Sequence, residues 1–391
     1  MVDLVAHAQQ APSGALSFGM VAGEASGDLL AGLLIQGLRQ RWPQAQGFGI
    51  GGPHMAALGF DAWWPHERLA VRGYVEVLRH YRGIVAIREQ LKQRLLASPP
   101  DVFIGVDAPD FNLDLEAHLK AAGIPTVHFV CPSIWAWRPE RIEKIRRSVD
   151  HMLCIFPFEP ELLARAGIDA TYVGHPLAQT IPMTPDRAAA RQSLGLDQDR
   201  PVVALLPGSR QSEIEHLVPR FIQAAQIMQK TQPRLQFVLP AIPSLQAAVQ
   251  SLVNAQGGLS GLHVLKGQSH QALAACDVTL TASGTATLEA ALFKRPMVIG
   301  YHMNWLSWQI MKRKQLQPWV GLPNILCQDF VVPEFIQDQC TPESLAKATL
   351  EWLAQADRVD ALQTRFKLLH QTLQRDTSYL ATHALEKFLG A

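Results

Sequence analysis

Charge is scarce in this sequence and neither sign prevails: 18% of the 391 residues are charged and the formal net charge is +1, against a usual charged share of about 25%. That balance argues against a nucleic-acid binder whose affinity comes from neutralising many phosphates, so any anionic partner is met locally. A hydrophobic share of 48% rules out disorder as the main state. Cysteine is sparse as well. Cys131, Cys154, Cys276, Cys327 and Cys340 are scattered, with no Cys-x-x-Cys pair to suggest zinc or redox work, so they read as reduced core thiols. The 14 histidines include no His-Glu-x-x-His or other ligand spacing; neither a metal nor a cofactor is implied. No apolar run is long enough to span a bilayer, and the first twenty residues lack the basic start and long apolar stretch of a secretory leader. A cytoplasmic protein is expected.

What is present is a βα rhythm, in a chain long enough to prefer two cores over one. Leu16 to Ala22 runs into Gly23-Glu24-Ala25-Ser26-Gly27-Asp28, after which Leu29, Leu30, Leu33, Leu34 and Leu38 form a helix face. Val102 to Val106 leads into Asp107-Ala108-Pro109-Asp110 and a helix to about Ala122, closed by Gly123 as a left-handed cap. Strands continue at Thr126 to Val130 and Met152 to Ile155. The rhythm breaks at Ile181-Pro182-Met183-Thr184-Pro185-Asp186 and restarts at Val202 to Leu206, followed by strands near Leu235 to Leu239, His263 to Leu265, Val278 to Thr281 and Pro296 to Ile299. A hinge is therefore expected near Pro182, between a 1–182 domain and a 183–391 domain, the last helices being candidates to pack back on the first. Alternating strands and helices predict a parallel sheet covered on both faces in each half, with ligands outside the carboxyl ends of the strands.

Two strand-to-helix turns of the second half carry chemistry. In Leu206-Pro207-Gly208-Ser209-Arg210, glycine lets backbone N–H groups approach a ligand, the helix start favours an anion, and arginine adds a cationic fork that suits a diphosphate. The plain alternative is a tight turn with a solvent-facing arginine. In Ala282-Ser283-Gly284-Thr285-Ala286-Thr287-Leu288-Glu289, Thr285 and Glu289 share a helix face, so a hydroxyl at the start and a carboxylate one turn on can meet phosphate and ribose of one ligand. The alternative there is a cap followed by a solvated glutamate. Transfer to an alcohol also needs a proton acceptor. Asp107, Asp110 and Glu24 are the candidates, each able instead to serve as a helix cap or turn residue.

Other segments carry less. Gly47-Phe48-Gly49-Ile50-Gly51-Gly52 has the dinucleotide spacing but follows polar Gln44-Ala45-Gln46, and is read as a glycine-rich turn. Asp197-Gln198-Asp199 precedes the Val202 strand, away from the ligand end, and is read as a solvated loop and not a metal motif. Trp135-Ala136-Trp137-Arg138 with Arg141, Lys144 and Arg147, and Trp305, Leu306, Trp308, Ile310 and Met311 beside Lys312-Arg313-Lys314, combine rings and cations as membrane-surface segments do. Core packing with a solvated charge face is the alternative for both.

Taken in order, these segments resemble the lipid-A-disaccharide synthase family, inverting glycosyltransferases of the GT-B fold, in which two Rossmann-like domains face each other across a cleft. The similarity runs from Val21-Ala22-Gly23-Glu24-Ala25-Ser26-Gly27-Asp28 to about Glu343-Ser344-Leu345, through Asp107-Ala108-Pro109-Asp110-Phe111-Asn112, Pro132-Ser133-Ile134-Trp135-Ala136-Trp137-Arg138, Leu206-Pro207-Gly208-Ser209-Arg210, Ser283-Gly284-Thr285-Ala286 and Leu322-Pro323-Asn324. The resemblance implies transfer of 2,3-diacylglucosamine from UDP-2,3-diacylglucosamine to the 6-hydroxyl of 2,3-diacylglucosamine 1-phosphate, giving a β-1,6 disaccharide and UDP, at the cytoplasmic surface of the inner membrane. It implies Asp107 as general base. Gly208, Ser209, Arg210, Ser283, Gly284, Thr285, Glu289 and Asn324 fall to the donor, and Glu24, Ser26, Asp110, Trp135 and Arg138 to the cleft and acceptor. One departure is Arg72, where an apolar residue is expected in Leu69-Ala70-Val71-Arg72-Gly73-Tyr74; it bears on the depth of membrane contact. A homodimer is left open and nucleic acid is not expected as a partner. A UDP-sugar epimerase and a catalytically idle sugar-nucleotide binder are the competing classes.

Overall fold

A computed structural model describes residues 16–69 and 74–389; Arg72, with Ala70, Val71 and Gly73, lies outside the described residues. The chain divides into two compact units. One runs to Pro176 and takes back the chain from Leu373 onward; the other is Leu177–Thr372.

The first unit holds a seven-stranded sheet in the order β3-β2-β1-β4-β5-β6-β7, formed by β1 (Ser17–Ala22), β2 (Gln46–Gly51), β3 (Asp61–Pro65), β4 (Val102–Val106), β5 (Thr126–Phe129), β6 (His151–Cys154) and β7 (Ala170–Tyr172). Its paired neighbours are parallel. The central strands are apolar almost throughout because helices cover both faces. On one face Val21, Ile50 and Phe103 pack with Leu91, Leu95, Phe111, Leu115 and Leu119 of two covering helices. The closing helix Thr377–Leu389 lies on the Ala25–Arg41 helix, where Ser378 Oγ donates to the Leu33 carbonyl at 2.9 Å and Arg41 meets Glu386 at 3.0 Å.

The glycine run at Gly47 is a strand, which corrects the expectation of a turn. As β2 it pairs Gly47 with Phe18 and Gly49 with Met20 of β1. A Cβ on Gly47 would enter the Phe18 ring, and Gly49 (φ +143°) would press one on the Met20 carbonyl. The glycines are there because β1 brings large side chains and its backbone too close for anything bigger.

The second unit holds a six-stranded sheet ordered β10-β9-β8-β11-β12-β13, from β8 (Val202–Leu206), β9 (Gln236–Ala241), β10 (Leu262–Lys266), β11 (Val278–Thr281), β12 (Met297–Tyr301) and β13 (Glu334–Ile336). It too is parallel. In both sheets the strand order reverses beside the first strand, between β1 and β4 and between β8 and β11. That crevice is where a doubly wound sheet binds ligands.

Candidate active site

In the second unit the loops at the carboxyl ends of β8, β9, β10 and β11 enclose a cavity of about 400 Å³. Gly208, Ser209 and Arg210 line it from β8, and Ser283, Gly284, Thr285 and Glu289 from β11. The two turns singled out in the sequence thus meet at one site. Ala241 to Pro243 and Gly267 with Ser269 complete the wall; nothing in their composition marked them in advance.

The two helix starts differ. Glu213 fills the first: one oxygen accepts from the N–H groups of Ser209 and Arg210 at 3.0 and 3.2 Å, and the other pairs with Arg210 Nη1 at 2.8 Å. Gly208 (φ +108°) passes so close that a Cβ would strike this carboxylate. The Arg210 side chain stays 75% exposed while that of Glu213 is 9% exposed. Sequence reasoning missed Glu213, although an acid three residues after the first capping position is a capping signal. At the second start, helix Thr285–Leu292, Gly284 (φ +135°) is the cap and no side chain bonds the first N–H groups. The Thr285 and Ala286 N–H groups and the positive helix end are open to an anion, while the Thr287 N–H bonds the Gly284 carbonyl.

Two site residues of the sequence reading serve the walls of this cavity. Ser283 Oγ donates to the Val320 carbonyl at 2.9 Å. Asn324 is fully buried and does not line the cavity. Its Nδ2 donates to Val332 O and Glu334 Oε1 at 2.9 and 2.8 Å, and its Oδ1 accepts from Val332 N at 3.0 Å. Glu334 in turn accepts from the N–H groups of Val320 and Gly321, each at 2.9 Å. Burial raises the Glu334 carboxyl above the usual range against those donors. Asn324 therefore anchors the segment on which Ser283 rests.

In the first unit the loops after β1 and β4 touch at the strand-order reversal: a Cβ on Gly23 would lie 2.6 Å from the Ala108 methyl. Glu24 and Ser26 are exposed on the first loop, and Asp107 is half-buried on the second. Asp107 and Ala108 both take left-handed backbone, φ 51° and 44°. Asp28, buried, accepts from the N–H groups of Gly52, His54 and Met55 and caps the short Pro53–Ala57 helix. Asp110 is 81% exposed and paired with Arg141 at 2.5 Å.

Of the ring-and-cation face expected over Trp135 to Arg147, Trp135, Arg141 and Lys144 are buried or paired, whereas Trp137 and Arg147 stay exposed and Arg138 half-exposed. Trp135 is buried edge-on against Phe156 and Phe158, with Nε1 donating to Glu159 at 3.1 Å. Arg141 and Lys144 pair with Asp110 and Asp114, and Arg146 with Glu143. Arg138 lies over the exposed Trp137 ring at 4.0 Å. In the second segment Trp305 is 69% exposed, Lys312, Arg313 and Lys314 lie on the surface, and Trp308 and Met311 are half-buried; the side chains of Leu306 and Ile310 lie outside the described residues.

Among the described residues no three His, Cys, Asp or Glu side chains gather as metal ligands, and no helix is long and apolar enough to cross a membrane.

Known proteins match this arrangement. The lipid-A-disaccharide synthetase family model covers residues 19–388. The lipid-A-disaccharide synthase of Albidiferax ferrireducens is 66% identical over 379 residues, 96% of this chain and 97% of its own. That of Verminephrobacter eiseniae is 58% identical over 388 residues, 98% and 99% of the two chains. Among solved structures, the UDP-GlcNAc 2-epimerase of Neisseria meningitidis bound to UDP-GlcNAc is similar with a TM-score of 0.62 at 11% identity, over 95% of this chain and 98% of that one. The calicheamicin glycosyltransferase CalG4 gives 0.60 at 17% identity, over 96% and 98%. The structural likenesses carry the fold, GT-B-like with two Rossmann-like units, and the sequence relatives carry more: the chain belongs to the lipid-A-disaccharide synthetase family, UDP-sugar glycosyltransferases.

Proposed function

We propose that the chain transfers 2,3-diacylglucosamine from UDP-2,3-diacylglucosamine to the 6-hydroxyl of 2,3-diacylglucosamine 1-phosphate, with inversion, releasing UDP. The observation that carries this reading is the cavity at the β8/β11 reversal, which joins an uncapped helix start, an exposed arginine and a carboxylate. The donor diphosphate lies against the N–H groups that open the Thr285 helix, with Arg210 turning from Glu213 to meet it. Glu289, one turn further on, accepts from the ribose hydroxyls. Asp107 takes the proton from the acceptor 6-hydroxyl as its oxygen attacks the anomeric carbon, and the bond to the diphosphate oxygen breaks on the opposite side. Glu24, Ser26 and Asp110 surround the acceptor, Arg138 meets its 1-phosphate, and buried Trp135 shapes the loop that carries Arg138. Charge leaving with UDP is taken up by Arg210 and the helix end, so turnover is expected to survive excess EDTA; activity lost to the chelator and restored by magnesium would end that account.

The test contrasts the two units. Asp107→Asn keeps size but loses the proton acceptor, so turnover falls about a hundredfold or more with UDP affinity unchanged. Arg210→Ala lowers both affinity and turnover, and Arg210→Lys restores only part, because an ammonium lacks the planar fork. Near wild-type turnover in Asp107→Asn would remove it as base and move Glu24 or Asp110 into that role.

A further inference from the structure

The residue read above as the base sits on a turn that its own backbone does not favour. Asp107 and Ala108 are consecutive left-handed residues, each with a Cβ, and such geometry persists only where surroundings hold it. Backbone bonds hold part of it, Asp107 N–H to the Phe129 carbonyl at 2.9 Å and the Phe111 and Asn112 N–H groups to the Ala108 carbonyl at 3.0 Å, and the fully buried Asn112 side chain adds to them: Nδ2 donates to the Asp107 carbonyl at 2.8 Å and lies 3.4 and 3.5 Å from the carbonyls of Val106 and Val21. One turn further along the Pro109–Ala121 helix stands Glu116. Both side chains pack over Gly105, where a Cβ would strike Glu116 Oε1 and come within 2.9 Å of Asn112 Cβ. Glu116 Oε1 meets His128 Nδ1 of β5 at 2.8 Å, with neither side chain exposed.

Asn112 Oδ1, Glu116 Oε2 and His128 Nε2 are buried without a hydrogen-bond partner among the described residues. A polar group in that position destabilises the fold, and apolar side chains of similar size would be tolerated better. Three such atoms in one cluster, joined to the strained turn through the Asn112 hydrogen bond, call for a reason beyond packing. Burial raises the Glu116 carboxyl above the usual range, against the opposing effect of His128 beside it.

We propose that Asn112, backed by the buried Glu116–His128 pair, is the positioning residue for Asp107, holding its left-handed turn so that the carboxylate leaves β4 in one direction. This inference rests on the reading of Asp107 as base. In the full-length protein, Asn112→Ser should lower kcat about tenfold or more, since small misplacements of a reacting group cost that much. UDP affinity and donor KM should stay within about twofold, because the donor cavity belongs to the other unit. Glu116→Gln, a neutral isostere, should keep kcat within about threefold, whereas Glu116→Ala should fall with Asn112→Ser. If Asn112→Ser does not fold, as judged by circular dichroism and UDP binding, the double variant Glu116→Leu with His128→Leu removes both partners together, a change cores tolerate, and the same split is expected. Wild-type kcat in folded Asn112→Ser, or in the double variant, overturns the proposal, as does a loss in Glu116→Gln equal to that in Glu116→Ala. Asp107→Asn measured alongside separates the two readings. Collapse there with none in Asn112→Ser leaves the base and removes the positioning role; wild-type turnover there removes both.

Discussion

Glu159 carries a buried carboxyl with no cation paired to it among the described residues. Trp135 Nε1 and the Phe156 N–H donate to it at 3.1 and 3.0 Å, yet burial outweighs these donors and pushes it up to about 8. An acid raised in the folded state favours its neutral form there, while the unfolded chain ionises near pH 4.3. Its contribution to stability is therefore complete below about pH 4.3 and is lost progressively as pH rises to about 8. Glu159→Gln imitates the neutral acid at every pH. The variant should gain on the wild type between pH 5 and 9, and its melting temperature should vary less over that window. A wild-type slope unchanged by the substitution would show that Glu159 is ionised in the fold. Because Trp135 is the partner, the pH dependence reaches the loop that ends at Arg138.

The two helix starts around the donor cavity show what an element can and cannot offer. Glu213 occupies the Ser209 and Arg210 N–H groups just before the Gln211–Thr231 helix, so that turn offers a ligand the Arg210 side chain and not those two donors; the Thr285–Leu292 start keeps the N–H groups of Thr285 and Ala286. Gly284 sets the direction of those donors at φ +135°, and a Cβ there would meet nothing within 4 Å. Gly284→Ala thus acts through the backbone alone, at a cost of about 1–3 kcal/mol. It should weaken UDP binding about tenfold by turning the Thr285 and Ala286 N–H groups, which titration calorimetry would read; unchanged affinity would place the diphosphate elsewhere. These turns were legible in the sequence because each follows a strand buried on both faces, which reads as an unbroken apolar run such as Val202 to Leu206. β2 was hidden by the glycines that its neighbour demands, and β3, β7 and β13 by short, half-exposed edge positions with no clear run. Glu159 with Trp135, and Asn324 with Glu334, were illegible for another reason: partners 24 and 10 residues apart are brought together by tertiary packing, which no local pattern encodes.

At the scale of the whole molecule, a net charge of +1 gives little long-range pull toward an anionic membrane, so attachment to one would have to come from a local patch. We propose the Trp305–Lys314 helix of the second unit as that patch. Its first residue, Trp305, is exposed, its end carries Lys312, Arg313 and Lys314 on the surface, and Leu316 and Phe330 are exposed large apolar residues of the same unit. Each cation near an anionic surface contributes about 1 kcal/mol, so three together supply about 3 kcal/mol, or roughly a hundredfold in partitioning. That attraction falls as salt shortens the screening length from about 10 Å at 0.1 M to about 3 Å at 1 M, while the Trp305 contribution does not. The protein should therefore sediment with vesicles containing anionic lipid at low salt, release most of its bound fraction at 1 M, and bind neutral vesicles weakly. Lys312→Glu, Arg313→Glu and Lys314→Glu together should abolish the salt-sensitive part, and Trp305→Ala the remainder. With short-chain substrates dispersed in detergent, where no surface has to be found, the same triple variant should turn over like the wild type. Equal vesicle binding by wild type and triple variant would remove the helix from the membrane contact. A loss of detergent turnover in a variant that still folds would instead assign the cations to substrate binding.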